Sequence, residues 1–115
     1  MTQLELIAKA AGCTVEDVPL LTTLYAGCNP GITDAGLAHV PLLTTLDAWG
    51  NPWITDAGLA HVPLLTALYA GDNTGITDAG LAHVPLLTTL DASGNPWITD
   101  AVVETLRARG VKVYR

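Results

Sequence analysis

Between Ala10 and Leu106 the chain has no lysine and no arginine. Its 5 basic residues are Lys9, Arg107, Arg109, Lys112 and Arg115, all near the ends. Of the 11 acids, all but Glu5 fall between Glu16 and Glu104. Phosphate recognition needs several Lys or Arg on one face, so no nucleic acid partner is expected. An anionic membrane surface is disfavoured for the same reason. No apolar run approaches the roughly 18 residues that a spanning helix needs. The opening MTQLELIAKAAG lacks both a basic lead and an apolar core, so it does not read as a signal peptide, and a cytoplasmic location is expected. Two cysteines, Cys13 and Cys28, are too few for a disulfide scaffold. A reduced pair is expected, with a bridge across the front of the molecule as the alternative. Only 14% of residues are charged, against roughly 25% in an ordinary soluble domain, so solubility rests on threonines and a few aspartates.

What the chain has in abundance is repetition. ITDAGLAHVPLL occurs unchanged from Ile32, Ile54 and Ile76, and a fourth copy from Ile98 decays after Ala101. Successive copies start 22 residues apart. A fixed period of this kind means stacked supersecondary units, each burying its apolar face against its neighbours. A single domain over 1–115 is expected: a helical cap at 1–19, repeats at 20–98, and a capping helix with an edge strand at 99–115.

Within one repeat, Leu43 to Leu64, the front half alternates. Leu46 and Ala48 fall on one side, with Thr45, Asp47 and Trp49 on the other, which predicts a short strand. The expected strands are Thr23–Ala26, Thr45–Ala48, Ala67–Ala70, Thr89–Ala92 and Val111–Tyr114, all parallel. Asn29, Asn51, Asn73 and Asn95 recur where the chain leaves the sheet. An amide carries donors and an acceptor, so a stack of them can satisfy loop backbone groups turn after turn. In the back half, Thr55 suits an N-cap and Asp56 the positive start of a helix. Leu59 and Val62 share a face, and Pro63 ends a helix of one or two turns.

The LxxLxAxxN pattern (Leu43, Leu46, Ala48, Asn51 and their copies) and the ITDAGL segments resemble the leucine-rich repeat family. The ITDxGL element is similar to its cysteine-containing class, although asparagine stands where that class usually has cysteine and the repeats are shorter. The resemblance covers about residues 15–115. It implies an α/β fold: a right-handed solenoid with a parallel β-sheet on a concave face and short helices on a convex one. It also implies that the concave face is the ligand surface.

Both ends are expected to be finished. Leu4 to Ala11 predicts a helix with Leu4, Ile7 and Ala8 inward. Thr14 to Val18 then stands in for a repeat helix, with Val15 and Val18 where later copies have Leu37 and Val40. At the back, Asp100 to Arg109 lacks glycine and proline, and Gly110 follows as a stop. Lys112 on the last strand discourages edge pairing.

A second period of 44 overlies the first. Leu20–Ala57 and Leu64–Ala101 differ only at Thr23/Ala67, Cys28/Asp72, Pro30/Thr74 and Trp49/Ser93. Recent duplication, or construction from a two-repeat unit, would give this.

Candidate sites fall on ladders of equivalent residues. Tyr25, Asp47, Tyr69 and Asp91 form one on the strand face. They are read either as a binding surface, with tyrosine giving area and aspartate selecting a basic group, or as an alternation that keeps aspartates apart. Trp53 and Trp97 are expected to lie over the glycine of the next repeat, Gly31 or Gly75, and Trp49 is expected to be exposed. His39, His61 and His83 recur once per repeat without a cysteine or second acid beside them, so a solvated helix face is expected rather than a metal site. Asp34, Asp56, Asp78 and Asp100 are read as helix-start chemistry. No Ser-His-Asp or Cys-His pairing and no phosphate loop can be assembled. The expectation is therefore a non-enzymatic module without cofactor or metal. It would bind a protein or peptide through Thr23, Tyr25, Thr45, Asp47, Trp49, Tyr69, Asp72, Thr89 and Asp91. The rival reading is a structural or self-associating repeat protein, natural or designed. If copies associate, a weak homodimer burying Trp49 and the tyrosines is favoured over a head-to-tail filament drawn by the opposite charges of the ends.

Overall fold

The computed structural model describes residues 1–115 and shows an α/β stack of repeated strand–helix units. Five parallel strands form one open sheet in chain order: β1 Thr23–Tyr25, β2 Thr45–Asp47, β3 Ala67–Tyr69, β4 Thr89–Asp91 and β5 Lys112–Tyr114. Short helices α2 Asp34–Leu37, α3 Asp56–Leu59 and α4 Asp78–Leu81 follow the first three strands. Longer helices flank them, α1 Gln3–Ala11 and α5 Asp100–Ala108. The register steps by 22 residues from β1 to β4, pairing Leu24, Leu46, Leu68 and Leu90 in one inward row. At β5 the step becomes 23, so that Leu90 meets Val113 and Asp91 meets Tyr114.

The core runs unbroken from Ile7 to Val113 and holds 28 apolar residues. Each interior repeat contributes the same set; for one it is Ile54, Leu59, Val62, Leu65 and Leu68, all at 0% exposure. Burying such a side chain stabilises by about 1.5–3 kcal/mol, and no repeat can do it without neighbours on both sides.

The asparagine ladder forms. Asn51, Asn73 and Asn95 are buried. The Nδ2 of Asn73 donates to the carbonyls of Ala48 (3.2 Å), Asn51 (2.6 Å) and Ile54 (3.0 Å) in the preceding repeat. Its Oδ1 accepts from the amides of Gly75 and Ile76 at 2.7 and 2.9 Å. One side chain thus satisfies backbone groups on both sides of a junction. Asn29 has no repeat before it and is half-buried, and its side chain makes one hydrogen bond, Oδ1 accepting from the Gly31 amide at 3.3 Å.

The aspartates do more than start helices. Asp34 accepts from the Thr55 amide at 2.7 Å and from the Thr55 hydroxyl at 2.5 Å, one repeat further on. Asp56 holds Thr77 and Asp78 holds Thr99 in the same way. Because the threonine hydroxyl donates to the acid, its lone pair is free to cap its own helix, as Thr55 does for the Ala57 amide at 3.3 Å. The helix glycines belong to this clasp. A Cβ at Gly58 would run into the Asp34 carboxylate and lie 2.9 Å from Leu37 Cδ1. At Gly80 it would run into Asp56.

The 44-residue period also has a steric cause. Position 28 of the ladder Cys28, Gly50, Asp72, Gly94 and its copies is left-handed throughout, with φ of 53, 62, 50 and 65°. The Cys28 thiol lies over Gly50, and the Asp72 carboxylate covers Gly94 so closely that a Cβ there would collide with it. In the next ladder the Trp49 ring covers Gly71. A large group in one repeat leaves room only for a glycine in the following one, so two large groups do not follow one another at these positions.

The front cap departs from expectation at one residue. Val18 is buried, but Val15 is exposed in the 3₁₀ segment Val15–Leu20. The place above α2 is already filled by α1, whose Ile7 Cδ1 would sit 3.1 Å from a Cβ at Gly36. Cys13 and Cys28 are both free thiols, Cys13 half-buried and Cys28 exposed. No helix is long and apolar enough to cross a membrane.

Candidate functional site

The outward face of the sheet carries two ladders. One is Thr23, Thr45, Ala67, Thr89 and Lys112; the other is Tyr25, Asp47, Tyr69, Asp91 and Tyr114. Alternation puts the intervening leucines inward and these residues outward. Tyr25 and Tyr114 are well exposed, while Asp47, Tyr69 and Asp91 are half-buried between their neighbours. The structure therefore brings together Thr23, Tyr25, Thr45, Asp47, Tyr69, Thr89 and Asp91 as the sequence suggests. It adds Lys112 and Tyr114, which continue both ladders. The last strand, with Val111 and Val113 inward and Lys112 outward, is as expected. The extra residue before β5 breaks the 22-residue period, and this hides only that Lys112 and Tyr114 line up with the candidate ladders.

The two face aspartates are partly committed. Asp47 Oδ1 accepts from the Trp49 amide and Asp91 Oδ1 from the Ser93 amide, both at 2.9 Å. In each the second oxygen has no partner. A carboxylate fixed by one oxygen and open at the other is pre-oriented for a donor arriving over the sheet, with little side-chain entropy left to lose. The tyrosine hydroxyls are likewise unpaired, which leaves each able to donate and to accept.

The tryptophans reverse expectation. Trp49 is half-buried, because its ring lies over Gly71. Trp53 and Trp97 are each 58% exposed and cover no glycine. A Cβ at Gly75 would meet Thr55 Cγ2 at 2.7 Å and the carbonyls of Ile54 and Pro52; one at Gly31 would meet Leu6. Those glycines admit the preceding loop or cap, not an indole. Asp72 sits in the loop beyond β3, exposed over Gly94, and not on the sheet face.

A cleft on the helix side was not foreseen. Asp78, Leu81, Ala82, Pro85, Val102, Thr105, Leu106 and Arg109 line a cleft of about 230 Å³ between α4 and α5. Val102 stands where α2, α3 and α4 have glycine. Its side chain cannot occupy the tight position of Gly80 against the preceding acid, and the entry to α5 changes accordingly. Thr99 has φ −84° and ψ 162°, against −127° and −178° at Thr77. Asp78 still holds Thr99, so the junction closes at the helix starts and opens along α5.

The histidines are exposed, and no group of His, Cys, Asp and Glu is arranged to hold a metal ion. The one carboxyl clearly shifted is Glu5, lowered chiefly by the Thr2 backbone amide and then by the Thr2 hydroxyl, at the start of α1. No protein-family model and no curated protein matches the sequence.

Proposed function

We propose that the chain is a leucine-rich repeat solenoid, similar to the cysteine-containing class, acting as a non-enzymatic module that binds a protein or peptide on its sheet face. The face would be the concave side, with the handedness usual for parallel crossovers. The observation that carries this reading is the ladder Tyr25, Asp47, Tyr69, Asp91, Tyr114, in which aromatic area alternates with carboxylates that each keep one oxygen unpaired. Tyrosine supplies contact area at small entropic cost, and the carboxylates favour a basic residue between two rings. An extended segment carrying Lys or Arg fits this chemistry better than nucleic acid, since Lys112 is the only cation on the two ladders. Two free thiols suit a reducing compartment, and a cytoplasmic location is part of the proposal.

Selection from a random peptide display library tests the reading. Enrichment of peptides with basic residues is expected. Their binding should fall about tenfold or more in Tyr69→Ala and in Asp47→Asn, both checked for native circular dichroism. Enrichment of peptides indifferent to both substitutions would reject the sheet face as the site.

A second reading, a self-associating protein, draws support from a separate feature on the helix side.

A further inference from the structure

The turn from helix to strand exposes a leucine in every repeat. Leu20, Leu42, Leu64 and Leu86 are 68, 45, 41 and 53% exposed, each behind an exposed proline. They lie one repeat apart and form a continuous apolar row along the molecule. A lone exposed leucine needs no explanation, but a contiguous row of this length does. The inward leucines one residue on, Leu43, Leu65 and Leu87, already fill the core, so packing does not require the outer ones.

The row ends in opposite charges. The 3₁₀ segment that contains Leu20 also carries exposed Glu16 and Asp17. Beyond Leu86 lies the α4–α5 cleft, lined by apolar residues together with Arg109 and with Asp78, whose two oxygens are taken up by Thr99. Arg109 takes part in no ion pair; the chain's one ion pair joins Arg115 to Asp100. Between the two ends the surface offers prolines, leucines, alanines and the exposed His39, His61 and His83.

We propose that this row is a docking surface for a second copy of the chain, lying antiparallel to the first, with the 3₁₀ segment of each copy seated at the α4–α5 cleft of the other. Three features select this occupant. The pitch of the row is set by the repeat, and a second copy presents a row of the same pitch. Antiparallel pairing brings Glu16 and Asp17 against Arg109 twice, whereas parallel pairing sets like charges together. The stack is 40 Å long against 22 and 19 Å across, so a contact along the row can be longer than one through an end. The contact is isologous and closes as a dimer, with its two-fold axis between Leu42 and Leu64. It leaves the sheet face free.

Sedimentation equilibrium over a wide concentration range tests this. The wild type should dimerise. Leu42→Glu with Leu64→Glu should weaken dimerisation about a hundredfold or more, because buried like charges then face one another. Asp17→Arg should weaken it about tenfold, and adding Arg109→Asp to the same chain should restore it, since each contact is then reversed but complementary. Tyr69→Ala should leave it unchanged. All these side chains are exposed or on the sheet face, and circular dichroism confirms that each variant is folded. A wild type that stays monomeric at every concentration overturns the proposal. So does a dimer indifferent to the leucine substitutions, or a charge reversal that is not rescued.

Discussion

The two ends of the stack close in opposite ways. At the front, Gln3 imitates a repeat aspartate. Its Oε1 accepts from the Thr33 amide at 3.0 Å and its Nε2 donates to the Gly31 carbonyl at 2.7 Å. Gly36 leaves room for it, and α1 fits down onto α2. At the back, Asp78 supplies the same clasp to Thr99, but Val102 replaces the glycine and a cleft opens. The clasp alone therefore does not close a junction. It needs a residue without a side chain opposite it, and a valine there leaves the helices hinged apart.

The largest break is expected in what both ends share least. Asn73→Ala removes five hydrogen bonds at an interior junction and should cost about 4 kcal/mol, several buried groups being left unpaired. Asn29→Ala, in the first repeat, where the side chain makes one hydrogen bond, should cost about 1 kcal/mol. Thr45→Ala on the sheet face should stay within about 0.5 kcal/mol. Urea denaturation of the three variants gives the order; equal midpoints would show that the ladder contributes nothing.

Gly58→Val converts an interior junction into a copy of the back. It sets side-chain atoms against Asp34 and Leu37 and should cost about 3 kcal/mol. Exposure of Leu37 and Leu59 to solvent, seen in methyl NMR shifts, would accompany it. Unchanged stability would mean that the glycines are not required by the clasp.

Asp56→Ala and Gln3→Ala compare the two versions of the clasp. The charged one has hydrogen bonds of 2.7 and 2.6 Å and should be worth about 2 kcal/mol, the neutral one about 1 kcal/mol. The smallest effect runs the other way. Cys28 holds a left-handed φ of 53°, where a non-glycine costs about 1–2 kcal/mol and glycine loses about 0.5–1 kcal/mol in chain entropy. Cys28→Gly should therefore stabilise by about 0.5 kcal/mol, read as a small rise in the urea midpoint.

Much of this was open to reading from the residues. The strands, their parallel order, the asparagine ladder and the exposed histidines follow from period and alternation, because a repeat that cannot bury its leucines alone must stack. What escaped depends on contacts between repeats. Thr-Asp looks like a helix start within one unit, and only the stack shows each acid reaching the next threonine. Trp49 and Trp53 are equivalent as composition; which one finds a glycine depends on side-chain direction one repeat along. The last strand was readable, but a one-residue change of register hid that its Lys112 and Tyr114 extend the two ladders. The cleft was signalled by Val102 in a glycine position, but its meaning required knowing what the glycine faces. For function, the ladders name a chemistry and not a partner.

Behind the first repeat, each junction is held by an acid from one repeat gripping the threonine of the next. Amide hydrogen exchange in Asp56→Ala tests it residue by residue. The Thr77 amide should lose protection, and Ala79, capped by the Thr77 hydroxyl, should follow, while Thr99, held by Asp78, keeps its wild-type rate. Protection at Thr77 that survives the loss of Asp56, or a loss spread evenly over all the junctions, would show that the acid does not hold the junction.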